Sequence, residues 1–161
     1  MSLAGLRWVC QSFDALDGAA LYQIMRLRQE VFVVEQTCAF LDADGWDLHA
    51  WHLAGWAGEH LLAYARIFEP AVVREEASIG RVVSAPSHRQ QGLGISLMDQ
   101  AVEKVRSFGP GVPVWIGAQE RLCRFYAGFG FAETGERYLE DGIWHRGMQA
   151  TTDQLGRHPV V

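Results

Sequence analysis

The chain has 161 residues, 49% of them hydrophobic, and a formal charge of −5 at pH 7. That composition describes a soluble globular chain with material for one domain and a substantial core, over residues 1–161, with no room for a second. Lys104 is the only lysine and no Lys/Arg block occurs, which argues against a nucleic-acid-binding or membrane-surface protein.

The first element is a short strand over residues 6–10, where the core begins. From Asp17 the residues Ala20, Leu21, Ile24, Leu27, Arg28, Val31 and Phe32 recur at helical spacing, with Asp14 or Asp17 as cap. The Val31-Phe32-Val33-Val34 run propagates poorly and ends this helix around Phe32 to Val34. Residues 38–51 have no sustained period and carry Asp42, Asp44 and Asp47, but they lack the ligand pattern of a calcium loop, so no metal is expected.

Residues 52–57 and 61–68 read as two strands joined by a tight hairpin at Gly58-Glu59-His60. Alternation puts Leu62, Tyr64, Arg66 and Phe68 on one side of the second strand, the side that looks into a cleft. A central strand follows from Ala77, and a helix carries Ile95, Leu97, Met98, Ala101, Val102 and Val105 up to Gly109-Pro110. Residues 112–118 are apolar on both faces, as in a strand covered by helices. A short helix over 120–126 precedes a hairpin of strands 131–139 and 144–150 across Glu140-Asp141-Gly142. Past residue 151 the tail, ending in Arg157-His158-Pro159, has little to bury and frays. The order strand, helix, three strands, helix, strand, helix, two strands gives an α/β (α+β) fold with a mixed sheet.

Cys10, Cys38 and Cys123 are too few and too scattered for a disulfide framework or a zinc site and fit a reduced, cytoplasmic chain. Neither a basic-then-apolar leader nor an apolar run of bilayer length occurs, so neither export nor a membrane partner is read. Among the six tryptophans, any that are exposed either line a pocket or form a homodimer patch.

The stretch from Ala77 to Leu97 organises the rest. A strand passes through Arg89-Gln90-Gln91-Gly92-Leu93-Gly94 into a helix, which presents unpaired N–H groups at the positive end of the helix dipole. Gly92 and Gly94 let phosphate oxygens approach the backbone, and Arg89 and His88 add donors. Neither a dinucleotide fingerprint nor a Gly-Lys-Ser/Thr loop fits the spacing.

Arg-x-x-Gly-x-Gly at such a junction resembles the acyl-CoA pyrophosphate loop of the GNAT acyltransferase superfamily. Gln119 to Phe131, QERLCRFYAGFGF, resembles its second signature through Gln119, Leu122, Tyr126, Gly130 and Phe131. The family more often has Asn at the place of Gln119 and a smaller residue at that of Leu122. Arg28-x-x-Val31-Phe32-Val33-Val34-Glu35-Gln36, Ala63-Tyr64-Ala65-Arg66, Ile79-Gly80-Arg81-Val82 and Glu140-Asp141-Gly142-Ile143-x-His145 narrow the resemblance to the ElaA-like branch, over residues 21–148.

The resemblance implies the acyl-CoA N-acyltransferase (GNAT) fold, a central mixed sheet splayed at the CoA site with helices on both faces. It implies transfer from acetyl-CoA to a primary amine of a small molecule or peptide, without a metal. Binding of acetyl-CoA then falls to Val82, Val83, Arg89, Gln90, Gln91, Gly92, Leu93, Gly94, Gln119 and Arg124, with a backbone N–H near Val82 or Val83 polarising the thioester. Tyr126 is the implied general acid. For the general base the order of preference is Glu35, His145, His52.

Gln36, Tyr64, Arg66 and Arg81 are the implied acceptor-side residues. The two arginines either bind a carboxylate on the acceptor or pair with Glu35, Asp42 or Asp44. Unpaired arginines would favour an amino-acid-like acceptor; an acidic cleft of Glu35, Asp42 and Asp44 would favour a cationic amine. Two other readings stand beside this one: a non-catalytic acyl-CoA sensor and an acyl-homoserine-lactone-type acyltransferase.

Overall fold

A computed structural model describes residues 3–157. Its seven-stranded sheet runs in the order β1-β2-β3-β4-β5-β7-β6. The strands are β1 (Arg7–Ser12), β2 (Trp51–Ala57), β3 (His60–Phe68), β4 (Ala77–Ser84), β5 (Pro113–Gln119), β6 (Ala132–Glu140) and β7 (Ile143–Thr151). Among the described residues only the β4–β5 pair is parallel. The sheet is therefore mixed, as the order of elements predicts.

Helix α1 (Gly18–Arg28) starts on Asp17, whose carboxylate accepts from the Ala20 N–H at 2.7 Å. Past Arg28 it widens into a π-helical turn over Gln29–Glu35, which contains the Val31-Phe32-Val33-Val34 run and ends within a residue or so of the expected place. Helix α2 (Leu93–Arg106) buries Leu97, Met98, Val102 and Val105 against the sheet. Each such side chain contributes on the order of 1.5–3 kcal/mol by leaving water. Every residue of β3 from Leu61 to Phe68 is buried, which requires cover on both faces. Helix α3 (Cys123–Ala127) is short and follows β5 through one 3-10 turn over Glu120–Leu122.

The sheet splits where β4 meets β5. Their ladder holds only Ala77 opposite Val114 and Ser78 opposite Trp115. Beyond that, β4 stays paired to β3 as far as Ser84, and β5 stays paired to β7 as far as Gln119. Each strand follows its outer neighbour, so the two part toward their C-terminal ends. The resulting gap is the splay that the resemblance implies.

Two expectations are corrected. Strand β5 is not covered on both faces: Val114, Ile116 and Ala118 are buried, while Trp115, Gly117 and Gln119 face an open cleft. The tail does not fray at residue 152. Thr152 donates to the Gly109 carbonyl at 2.8 Å, Leu155 is buried, and Arg157 pairs with Asp99. His158 and Pro159 lie outside the described residues. No described helix is long and apolar enough to cross a membrane.

Candidate active site

The gap between β4 and β5 forms a cavity of about 520 Å³. Register explains which side chains line its β5 side. Gln119 lies opposite His145, which lies opposite Tyr138 on β6, so the three share one row and one face. Two rows away Gly117 lies opposite Gly147. A Cβ on Gly117 would stand 2.6 Å from the Tyr138 hydroxyl and 2.9 Å from the Trp115 ring, and one on Gly147 would stand 3.0 Å from Trp115 Nε1. The bare glycines are what lets Trp115 and Tyr138 lie across the sheet as the cavity floor.

His145 is buried, and its ring is stacked on Tyr138 with centroids 5.6 Å apart. Nδ1 lies 2.8 Å from the Ile143 carbonyl, which can only accept, so Nδ1 carries a proton, and in the neutral ring the lone pair is on Nε2. Nε2 lies 3.6 Å from Glu140 Oε2. Tyr126, on α3, borders the same cavity and is buried; burial pushes its phenol up to about 12. It is therefore protonated throughout the neutral range.

On the β4 side the ladder carries a bulge. Tyr64 opposes Val83 and Arg66 opposes Gly80, so Ala65 faces both Arg81 and Val82. Arg81 takes φ +49°, a strained value for a residue with a Cβ. Its guanidinium is held by Asp42 at 2.7 Å and, more loosely, by Asp44 at 3.5 Å. A bulge leaves its extra residue out of the ladder, and Val82 lies there on the cavity wall. Val83 is buried and paired with Tyr64.

The glycine turn follows β4. Gly92 takes φ +80° and caps α2 with no side-chain hydrogen bond, and no acid occupies the first turn of the helix. The first N–H groups of a helix have no partner within it, and none is seen for them among the described residues, as an anion site needs. Arg89 is half-exposed and bonds Glu35 at 2.7 Å. Gly94 abuts Phe125 of α3, and Arg124 beside it is exposed with no ion-pair partner among the described residues. Gln90, Gln91 and Leu93 complete the turn, Leu93 pointing into the core. The phosphate-type turn and Tyr126 thus meet across one short helix.

The remaining predicted residues are placed differently. Glu35 does not line the cavity; it ends the π-helical turn and faces Arg89. His52 does not line it either. Its Nε2 donates to the Asp47 carbonyl at 2.8 Å and its Nδ1 accepts from the Tyr64 hydroxyl at 2.7 Å, so both nitrogens are used. Tyr64 is fully buried against His52 rather than in the cleft. Gln36 does line the cavity and approaches the Gln119 amide at 3.4 Å.

Arg66 and Arg81 border the cavity but are committed. Arg66 binds Asp44 and Asp47, Arg81 binds Asp42 and Asp44, and the wholly buried Arg28 binds Asp42 and Asp47 from behind. Three arginines and three aspartates close a neutral ring that ties α1 and the 42–47 loop to the sheet. Although burial opposes their ionisation, the arginines hold the Asp44 carboxyl down to about 2 and the Asp47 carboxyl low. The acids that suggested a cation loop are counter-ions to arginine.

Sequence reasoning missed Trp115, Tyr138, Glu140 and Cys38 as cavity residues. The glycine within each of the strands β5 and β7 was the available signal, since a strand glycine marks a close approach.

The Acetyltransferase (GNAT) domain model matches residues 55–152. Protein ElaA of Escherichia coli is 40% identical over 145 residues, which cover 89% of this chain and 95% of that protein. The ElaA crystal structure superposes with a TM-score of 0.84, covering 89% of this chain and 98% of that one. An acyl-CoA N-acyltransferase from Pseudomonas aeruginosa is 41% identical, with a TM-score of 0.86 and coverage of 90% and 99%. An aminoglycoside 6'-N-acetyltransferase solved with coenzyme A shares the fold at 14% identity and a TM-score of 0.67, over 89% of this chain and 97% of that one. The chain belongs to the GNAT acetyltransferase superfamily, in its ElaA-like branch.

Proposed function

We propose that the chain transfers the acetyl group of acetyl-CoA directly to a primary amine of a small molecule or peptide, with Tyr126 as general acid and His145 as general base. One observation carries this reading: Tyr126, Nε2 of His145 and the bulge at Val82 border the same cleft, where β4 and β5 part. The uncapped start of α2, with Arg89 and Arg124, receives the pyrophosphate. Gln119 and Gln36 supply amides for the pantetheine arm and the acceptor.

The neutral amine attacks the thioester carbonyl carbon while a backbone N–H at Val82 stabilises the oxygen. His145 Nε2 takes the proton that the nitrogen sheds. As the carbon–sulfur bond breaks, the Tyr126 hydroxyl protonates the departing sulfur; Tyr126 then regains a proton from solvent while His145 releases its own to solvent, which resets both. An acyl-cysteine relay is disfavoured. The Cys38 thiol donates to the Asp141 carbonyl at 3.3 Å and is pushed up by burial and by the Asp141 charge, and burial raises the Cys123 thiol as well.

The test is acceptor-dependent thiol release from acetyl-CoA with a panel of amines, run beside Tyr126→Phe. Release that rises with an amine and falls about 10²-fold or more in the variant, at unchanged CoA affinity, supports the reading. Tight CoA binding with no amine-dependent release, even with a broad metabolite extract, moves the assignment to a sensor.

A further inference from the structure

We propose that the acceptor is a primary amine tethered to a second fixed positive charge, a diamine-like cation rather than an amino acid or a simple alkylamine. This rests on the N-acetyltransferase reading and names its substrate class. The charges bordering the cavity carry the argument. Arg66 and Arg81 are neutralised within the aspartate ring, and Arg74 lies 3.7 Å above the Trp115 ring with its charge on Glu76 at 3.2 Å. Arg66 Nε lacks a partner, but it is closed off from solvent. Every guanidinium bordering the cavity is therefore spent, and an acceptor carboxylate would have to displace an aspartate to be bound.

The acids are not all spent. Glu140, the last residue of β6, and Asp141, on the β6–β7 turn, both border the cavity. Asp141 has no cationic partner among the described residues, and Glu140 faces only His145 Nε2 at 3.6 Å. His145 is itself 8% exposed and makes no hydrogen bond through Nε2 among the described residues, so the cavity presents a proton acceptor beside two exposed carboxylates that no arginine or lysine among the described residues neutralises. The attacking nitrogen must be neutral when it reacts and cannot balance them. Once Nε2 takes the proton, Glu140 supports the imidazolium, which leaves Asp141 for a distal cation. Trp46 borders the same cavity, 42% exposed, with no described cation over its ring, and adds a π-face for that cation.

Three acceptors of equal length test this: 1,4-diaminobutane, n-butylamine and 4-aminobutyrate, with the three- and five-carbon diamines alongside. Acetyl-CoA thiol release and product mass are read for each. The diamines are expected to exceed the monoamine in kcat/KM by about tenfold at low salt, with the amino acid lowest and the gap narrowing as ionic strength rises. Asp141→Asn, which keeps a side chain that tolerates the φ of +50° at this turn, is expected to move the diamine-to-monoamine ratio toward one. A monoamine used as well as the diamines, or a ratio unmoved by that variant, overturns the proposal while leaving an N-acetyltransferase in place. Silence with every one of these amines in a wild type that melts cooperatively overturns this proposal, and the parent reading falls with it where a broad metabolite extract is silent as well.

Discussion

Glu35 Oε1 accepts a 2.7 Å hydrogen bond from Arg89 Nη1, which ties the end of the first helix to the glycine turn. Both side chains are about two-fifths exposed, so the pair is worth no more than about 1 kcal/mol, and a pyrophosphate can take its place. This geometry separates two candidate bases. Glu35→Gln is expected to leave the acidic limb of the pH–rate profile where it is and to change kcat by less than about threefold, with acetyl-CoA affinity equal or higher because Arg89 is freed. His145→Gln is expected to lower kcat by about 10²–10⁴ and to abolish that limb. Loss of the limb in the Glu35 variant alone would return the base to the helix end.

Glu35 also shows where periodicity stops being informative. A 3.6-residue repeat carries a reader along α1, but the π-helical turn over Gln29–Glu35 changes the residues per turn, and with them the direction in which the end residues face. Alternation along β3 was legible and correct: Tyr64 and Arg66 do share a side. What fills that side was not legible. His52 and Arg28 occupy the space at Tyr64, while the 42–47 loop leaves Arg66 at the cavity wall. The glycine turn, the Asp141-Gly142 hairpin and α2 were readable because each rests on local backbone chemistry, with Gly92, Asp141 and Gly142 all at positive φ. The arginine–aspartate ring joins residues up to 39 positions apart, and residue spacing alone could not choose among its partners.

His52 makes stability depend on pH. Burial pushes its pKa below the ordinary value of 6.5, and the nearby Arg28 and Arg66 charges add to this against the Asp47 carbonyl and charge. The unfolded chain therefore binds the proton first. Stability from this residue is complete above about pH 6.5 and is lost as pH falls through that value. Asp44, held down to about 2, contributes in the opposite region: its share is present above about pH 4 and is lost as pH falls from there toward 2. The melting temperature is expected to be flat above about pH 7, to begin declining as pH falls below about 6.5, and to fall again below about 4. His52→Gln keeps one donor and one acceptor and is expected to remove the first decline only. An undiminished decline in that variant would assign it to another group.

Gly117 links packing to chemistry through Tyr138. Gly117→Ala would place a methyl 2.6 Å from the Tyr138 hydroxyl and 2.9 Å from Trp115, and overpacking of this kind costs about 1–3 kcal/mol. Tyr138 is half-buried on the outer strand and can yield outward, so the loss in urea denaturation is expected at the lower end of that range. Its ring is stacked on His145, however, and moving it disturbs the orientation of the proposed base. The variant is expected to lose kcat/KM for the amine while CoA affinity stays unchanged, since the glycine turn lies elsewhere. Tyr138→Phe removes the atom nearest the new methyl and, added to Gly117→Ala, is expected to restore part of both stability and turnover. Such a non-additive gain marks two residues in direct contact. Losses that simply add in the double variant would mean that the Trp115 contact, not Tyr138, sets the requirement for glycine.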